Sequence, residues 1–436
     1  MNGGLLKSAS AVAILAAAGL FANANAADLG GDCCADLEER VAELEATTAR
    51  KGNRKVSLTI SGFVGHQVMW WDDGTQSDTY FGDGGNIFSR FRFTGNAKIT
   101  PSLTAGFTYE FGLNNNAIGA MNQGNGGDDL GECTNSCIRD TTVWLRHKQL
   151  GMVKIGQGST ATDNLILIDL GQRSSAATAD TALFNGKFQL RAKDGFFLNG
   201  TWDNAIRGHE SFDTSRRNHV LYETPTLAGF TVQAAVAEDN YWDVALRYAG
   251  EFAGFRLAFG IGYQEDSEFN QPTGGLTPET FSIDCTANCD AKTSDLKGSA
   301  SILHVASGLF LTGAAGNREL DAVGYVGPDL KWWYLSGGIS QNFFGVGKTV
   351  LYGEYIESEG GLEQANFISA GVMGDWFDSK VTQWGVGITQ HLDAAAMELF
   401  LAYKNYQFDG YYDYGAGGVK EAADFQAVIA GTKINF

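Results

Sequence analysis

From about residue 56 to the C-terminus the chain repeats one pattern: short segments in which apolar and polar side chains alternate, parted by connections rich in Gly, Asn and Asp. Between Phe88 and Ile99 one face carries Arg90, Arg92, Thr94, Asn96 and Lys98, and the other carries Phe91, Phe93, Ala97 and Ile99. After a tight turn at Pro101-Ser102, Leu103, Ala105, Phe107, Tyr109 and Phe111 oppose Thr104, Gly106, Thr108, Glu110 and Gly112. Near the C-terminus Met397, Leu399, Leu401 and Tyr403 oppose Glu398, Ala402 and Lys404. A period of two sends successive side chains to opposite faces of a strand, so the chain is a succession of two-faced strands. No stretch here is apolar over the roughly 20 residues a spanning helix needs, so if this region lies in a membrane it does so as a closed barrel.

A soluble β-sandwich would alternate too, and three further features separate the two architectures. The segments run to about ten residues, where ordinary strands have five or six. Connections alternate between very short and long. Aromatic residues gather near segment ends, at Trp70-Trp71, Tyr80-Phe81, Trp332-Trp333 and Tyr411-Tyr412. This is the layout of an outer-membrane barrel, with apolar side chains toward lipid, polar ones toward the lumen and aromatic girdles at both interfaces. The expected strands are 56–71, 87–100, 103–113, 139–149, 151–158, 215–224, 228–237, 242–250, 254–265, 296–306, 308–316, 330–341, 349–357, 380–391, 396–406 and 423–436. They number sixteen, an even count that closes a barrel with both chain ends on one side and leaves an aqueous channel. The long connections 114–138, 159–214, 266–295 and 358–379 then share the other side.

Of 436 residues 57 are Gly and 5 are Pro, and no Pro/Ser-rich or charged linker breaks the rhythm after residue 56, so residues 56–436 read as one all-β domain. Residues 1–26 read as a secretory leader: Lys7, an apolar run from Ala9 to Ala22, and the small-x-small site Ala24-Asn25-Ala26. That run is too short for a membrane anchor, and no Cys closes it as in a lipoprotein. Loss of Lys7 with the leader takes the formal charge from −19 to −20. So acidic a chain argues against nucleic acid as a partner.

Several segments resemble the general porins of Gram-negative bacteria. Ser89-Arg90-Phe91-Arg92-Phe93 and the strand ending at Glu110 are similar to the second and third strands of that family. Arg139 to Gly158 resembles the hairpin before its constriction loop, and Arg216 to Pro225, continuing to Gly229-Phe230, the hairpin after it. The terminal Ile434-Asn435-Phe436 resembles the aromatic-ended strand that outer-membrane assembly reads, which makes Phe436 the expected assembly signal. One departure is Gln157, where family members often carry Arg. The resemblance implies a homotrimer in outer-membrane lipid, passing ions and small hydrophilic solutes, with no cofactor and no catalytic residues. It also implies that 159–214 holds a loop folded into the barrel, whose Asp163, Asp169 and Asp180 face a basic wall. By alternation that wall carries Arg90, Arg92, Arg146 and Arg217 on its polar face, and the separated signs would set a transverse field across the constriction. The other reading kept is a substrate-selective transporter or an adhesive barrel whose long loops carry recognition.

Enzymatic and metal motifs fail on inspection. Gly347-Lys348-Thr349 suggests a phosphate loop, but the earlier Gly it needs is Asn342. No G-x-S-x-G elbow occurs, and the six His are scattered without metal-ligand spacing. Within residues 27–55, Leu37, Val41 and Leu44 are spaced four then three, the seam of a coiled coil. Two heptads are marginal alone, so the partner helices need an outside tether, which a trimer of barrels would supply; a lone amphipathic helix on the barrel is the alternative. At the periplasmic mouth such a coil is placed to touch peptidoglycan. Six Cys in an exported chain allow fifteen pairings. Cys133 with Cys137 and Cys285 with Cys289 are the simplest, each pair inside a long connection; Cys33 and Cys34 are free or joined between chains.

Overall fold

A computed structural model describes residues 55–436, except 87, 114–116, 127–137, 174, 215, 239, 268–291, 323–324, 371–375 and 413–420. The proposed leader, the Leu37–Val41–Leu44 seam and all six cysteines therefore lie outside the described residues.

The strands follow the chain as β1 (Ser57–Asp72), β2 (Ser77–Gly82), β3 (Ser89–Lys98), β4 (Leu103–Leu113), β5 (Ile138–His147) and β6 (Gly151–Gly158). After β7 (Gln189–Arg191) and β8 (Phe197–Thr201), a separate small hairpin, come β9 (Arg217–Glu223), β10 (Phe230–Ala237), β11 (Trp242–Phe252), β12 (Phe255–Asp266) and β13 (Lys292–His304). The wall is completed by β14 (Leu309–Asp321), β15 (Leu330–Gln341), β16 (Thr349–Glu359), β17 (Trp376–Leu392), β18 (Met397–Tyr412) and β19 (Phe425–Asn435). Each wall strand is antiparallel to its neighbours, and β19 returns to β1 from Phe63 opposite Asn435 to Asp72 opposite Gln426. No edge is left unpaired, so the sheet is a barrel. The terminal Phe436 joins this seam by exchanging backbone hydrogen bonds with Gly62 at 2.9 and 3.1 Å.

The barrel has the expected sixteen strands, but its second strand is built differently. β1 pairs with β3 along Ser57 to Phe63 and with β2 along Gln67 to Asp72, so β2 and β3 are two pieces of one strand. Between them residues 83–86 leave the wall and turn inward: the Asp83 carbonyl accepts from the Ile118 N–H at 2.8 Å, and the Asn86 amide reaches the Ser175 carbonyl at 3.5 Å. The upper piece has little alternation to read, because Ser77-Asp78-Thr79 stands at the wet rim. β13, β14, β17 and β18 likewise extend further toward the long connections than their alternation reveals, since outward side chains there are no longer selected for lipid. Short turns close the opposite end. Ala228-Gly229 and Ala253-Gly254 both have positive φ at each residue (49° and 90°, 51° and 81°), the two-residue turn whose twist matches a hairpin.

Outward side chains are apolar as expected: on β5 Val143 is 64% exposed and Leu145 47%, while the preceding, lumen-facing Thr142 is buried. The lumen face departs from expectation on one half of the barrel. There β15, β16, β18 and β19 present Trp332, Tyr334, Ile356, Tyr406, Phe425, Ala427 and Ile429 inward, all buried. Two connections fold onto them. Residues 159–216 supply α1 (Ala182–Asn185), the β7–β8 hairpin and α2 (Trp202–Arg207); the connection after β16 supplies α3 (Gly361–Ala370). Phe184, Phe188, Leu190, Trp202, Ile206 and Phe212 pack into the aromatic wall, with Phe212 stacked on Trp332 at 4.4 Å and Phe188 edge-on to Trp71 at 4.8 Å. Truncating a buried aromatic such as Trp202 would cost about 3–5 kcal/mol. Among the described residues no helix is long and apolar enough to cross a membrane.

Candidate functional site

The inward segment enters at β10–β11 and runs along the wall. The Thr162 hydroxyl donates to Asp243 at 2.8 Å and its N–H does the same at 2.8 Å; the Leu165 carbonyl accepts from Ser299 at 2.5 Å. Further on, the Leu170 N–H donates to Ser301 at 3.0 Å, Arg173 meets Tyr334, and the Ser175 hydroxyl donates to Glu398 at 3.0 Å. It then crosses to β1 through Arg191 and Asp73 at 2.8 Å. Its return leg is held by Arg318, which donates to the carbonyls of Arg207, Glu210 and Ser211 at 2.8–2.9 Å. These anchors, with Ala161 and Leu165 packed on Leu221 and Ala235, cover the lumen face from β9 round to β19 and onto the upper end of β1, leaving open a strip of wall under β3, β4, β5 and β6.

That strip carries the charge. Glu110, on the lumen face of β4, is only 2% exposed and holds three arginines: Arg92, directly opposite it in register, Arg139 at 2.9 Å and Arg90 at 3.5 Å. Arg90 also lies over the Phe63 ring at 4.7 Å. Lys154 and Asp140 stand beside them, and Lys154 donates to the Ser159 carbonyl at 2.7 Å. From the loop, Asp163 comes within 3.9 Å of Arg216. Arg90, Arg92, Arg139, Lys154 and Arg216 thus face Glu110, Asp140 and Asp163, an excess of cations on a wall where the side chains of Arg92 and Arg216 remain 37% and 27% exposed.

The residues expected at a constriction are therefore divided. Arg90 and Arg92 are in the cluster, and Asp163 faces it. Arg146 lies nearer the short-turn end, paired with Glu223 at 3.1 Å, and Arg217 is bound to Asp266 and stacked on Tyr241 at 4.4 Å. Asp169 and Asp180 belong to the loop's own framework: Asp169 holds Arg173 at 3.1 Å and Asp180 holds Arg207 at 3.0 Å. Gln157 shares the outward parity of Val153 and Ile155 and donates to the Arg216 carbonyl at 3.3 Å. Sequence reasoning missed Glu110, Arg139, Lys154 and Arg216. Glu110 was within reach, because the tight turn at Pro101-Ser102 sets the register that puts it opposite Arg92. Arg139 was not, because it joins the cluster through a bulge opposite Glu110 and Phe111.

The root of the loop is zipped shut where its ends meet. The Thr162 and Thr214 hydroxyls lie 2.8 Å apart, that of Thr214 donates to Gln264 at 2.6 Å, and Arg247 donates to the carbonyls of Ala161 and Asp163 at 2.9 and 2.8 Å. Asp213 accepts from the N–H groups of Asn164 and Thr214 at 2.7 and 3.1 Å. Burial, followed by the neighbouring Asp163, pushes its carboxyl up to about 8 despite Lys297. Among the described residues no cluster of His, Cys, Asp and Glu fits a metal ion.

A family profile described as Gram-negative porin matches residues 9–428. No curated protein matches the chain. Among solved structures, the anion-selective porin from Comamonas acidovorans superposes with a TM-score of 0.54 at 19% identity, covering 87% of this chain and 100% of its own. OmpF of Salmonella typhi, in complex with daunomycin, gives 0.52 at 15%, over 88% of this chain and 99% of that one. OprB of Pseudomonas putida gives 0.51 at 11%, over 92% and 97%. At these identities the likeness concerns the fold alone.

Proposed function

The chain belongs to the Gram-negative porin family, integral outer-membrane barrels that let solutes diffuse passively, and from that premise we propose that solutes pass along the open strip and that its excess of cations gives the pore an anion preference. The observation that carries this is one buried carboxylate, Glu110, shared by three arginines on the wall the loop leaves bare. A water-filled pore selects ions by the charges at its narrowest part, and the field of separated groups is strongest where low-dielectric walls confine it. The wall arginines are the constriction's positive side; Asp163 is the loop's contribution. One fold neighbour is described as anion-selective, in keeping with this reading. Reversal potentials across planar bilayers under a KCl gradient test it: a potential on the chloride side supports it, and one on the potassium side refutes it.

The functional unit is a homotrimer, with contacts centred on β18, β19 and β1. Their outward face is apolar at Val64, Val68, Leu399 and Leu401 but also carries polar groups that lipid would not favour: Gln407 bonds Asp424 at 3.1 Å, Tyr403 bonds Gln426 at 3.0 Å, and His66 stands opposite Thr432. A second copy would cover these groups. A β-rich monomer at every concentration in mild detergent would overturn the assembly. Residues 1–26 act as the leader and Phe436 as the assembly signal. Residues 27–55 form a coil at the periplasmic mouth, in reach of peptidoglycan, and Cys133–Cys137 and Cys285–Cys289 close short extracellular loops.

A further inference from the structure

Below the arginine cluster the same open wall holds an aromatic residue that packs against no other ring among the described residues. Trp144 stands on the lumen side of β5, between the outward Val143 and Leu145. Its indole lies against Gly106 of β4, where any Cβ would collide with the ring. The lumen's other large aromatics, such as Trp202, Phe212 and Trp332, are buried against one another. Trp144 is half-buried, stacks on no ring, and its N–H bonds to no group among the described residues.

The strand register fixes what surrounds it. Asn96, Gly106, Trp144 and Lys154 form one row across β3, β4, β5 and β6. The row toward the periplasm brings Lys98, Thr104 and Arg146. Lys98 is exposed and pairs with no carboxylate among the described residues. The indole and the Lys98 ammonium, which pairs with no carboxylate among the described residues, thus share the lumen face two strands and one row apart, on the route a solute takes after the arginines.

We propose that Trp144 and Lys98 form a weak binding site in the lumen for aromatic carboxylates, deepening the proposed anion preference and resting on it. The charge alone does not make a site, since a solvated Lys attracts any small anion only feebly. The ring alone does not select charge, since an indole face stacks any flat apolar body. A benzoate ion satisfies both, its ring over Trp144 and its carboxylate toward Lys98, and the arginines above concentrate it on entry. Neutral aromatics lack the second contact and acetate the first.

The test is single-channel current in KCl with benzoate, acetate or benzyl alcohol added to the periplasmic side. Benzoate is expected to reduce the current saturably, while acetate and benzyl alcohol at equal concentration leave it unblocked. Trp144→Thr should raise the half-blocking benzoate concentration about tenfold, Lys98→Gln should raise it severalfold, and Trp144→Phe should retain most of the block. Heat-modifiable migration of each variant verifies a folded barrel. Equal block by acetate, or undiminished benzoate block in Trp144→Thr, would overturn the site. Current in KCl alone reports on the porin reading: a channel that conducts with anion preference yet ignores benzoate refutes this inference and spares that one.

Discussion

Glu110→Gln isolates the electrostatics of the open wall, because it removes one charge and little volume. The carboxylate lies 2.9 Å from Arg139 and 3.5 Å from Arg90, and is also bound by Arg92. Its loss changes the local balance by one positive unit without adding a cation. An ion passing about 7 Å away feels about 0.6 kcal/mol from one unit charge at the dielectric of water, more where the lumen narrows. That is a factor of about 2.7 in local concentration, in opposite directions for chloride and potassium, so the permeability ratio should shift toward anions by about sevenfold before screening. Salt should weaken the effect steeply, since the screening length is about 10 Å at 0.1 M. The three arginines lose the shared charge and one of its two acceptor oxygens, at a cost of about 1–3 kcal/mol, because the side chains of Arg90 and Arg139 are 16% and 17% exposed and keep some water. The assay is the reversal potential in a tenfold KCl gradient at about 0.1 and about 1 M mean salt, on variants that keep heat-modifiable migration. A potential that stays put at low salt, or moves toward potassium, would refute the reasoning.

Arg90→Ala with Arg92→Ala should move selectivity toward cations, while Arg217→Ala, which removes a residue bound to Asp266, should move it far less; equal shifts would mean the eyelet has been misplaced. Asp213 makes the loop root pH-sensitive. Its folded carboxyl titrates at about 8 against 3.8 when free, so the folded root holds a proton that the unfolded segment releases between these values. The resulting stabilisation is complete below about pH 4 and is lost as pH rises toward about 8. Limited proteolysis should therefore cut the loop faster at alkaline pH, and an Asp213→Asn profile with the wild-type pH dependence would defeat the assignment. For the periplasmic coil, Leu37→Asp with Leu44→Asp should abolish crosslinking between cysteines placed on the seam and leave conductance intact; persistent crosslinks would show that the seam does not hold the helices.

Strand period and the sixteen-strand count were legible because each is local: a side chain two residues along faces the same solvent, and lipid on one side with water on the other imprints that period; of the expected girdle aromatics Trp70, Phe81 and Trp333 face outward, while Trp71, Tyr80 and Trp332 are buried inside under the loop. Arg90 and Arg92 were legible for the same reason. The lumen faces of β15, β16, β18 and β19 were not, because the inward loop makes their surroundings as apolar as lipid and erases the contrast that period-two reading depends on. Nor could spacing pair the charges. Asp169 and Asp180 have the residue type of a constriction acid, yet each has a closer arginine within its own loop, and only the folded path of that loop decides it. Glu110 gathers three arginines through one register pairing, one bulge and a second side chain of β3, and two registers bring Trp144 and Lys98 onto successive rows of one face. The amino-acid sequence alone determined a two-faced strand repeated into a barrel, because faces are set by neighbours in the chain. Which charges meet and which wall stays open were decided by tertiary structure, because those partners lie strands apart and the loop that covers the rest is positioned by packing.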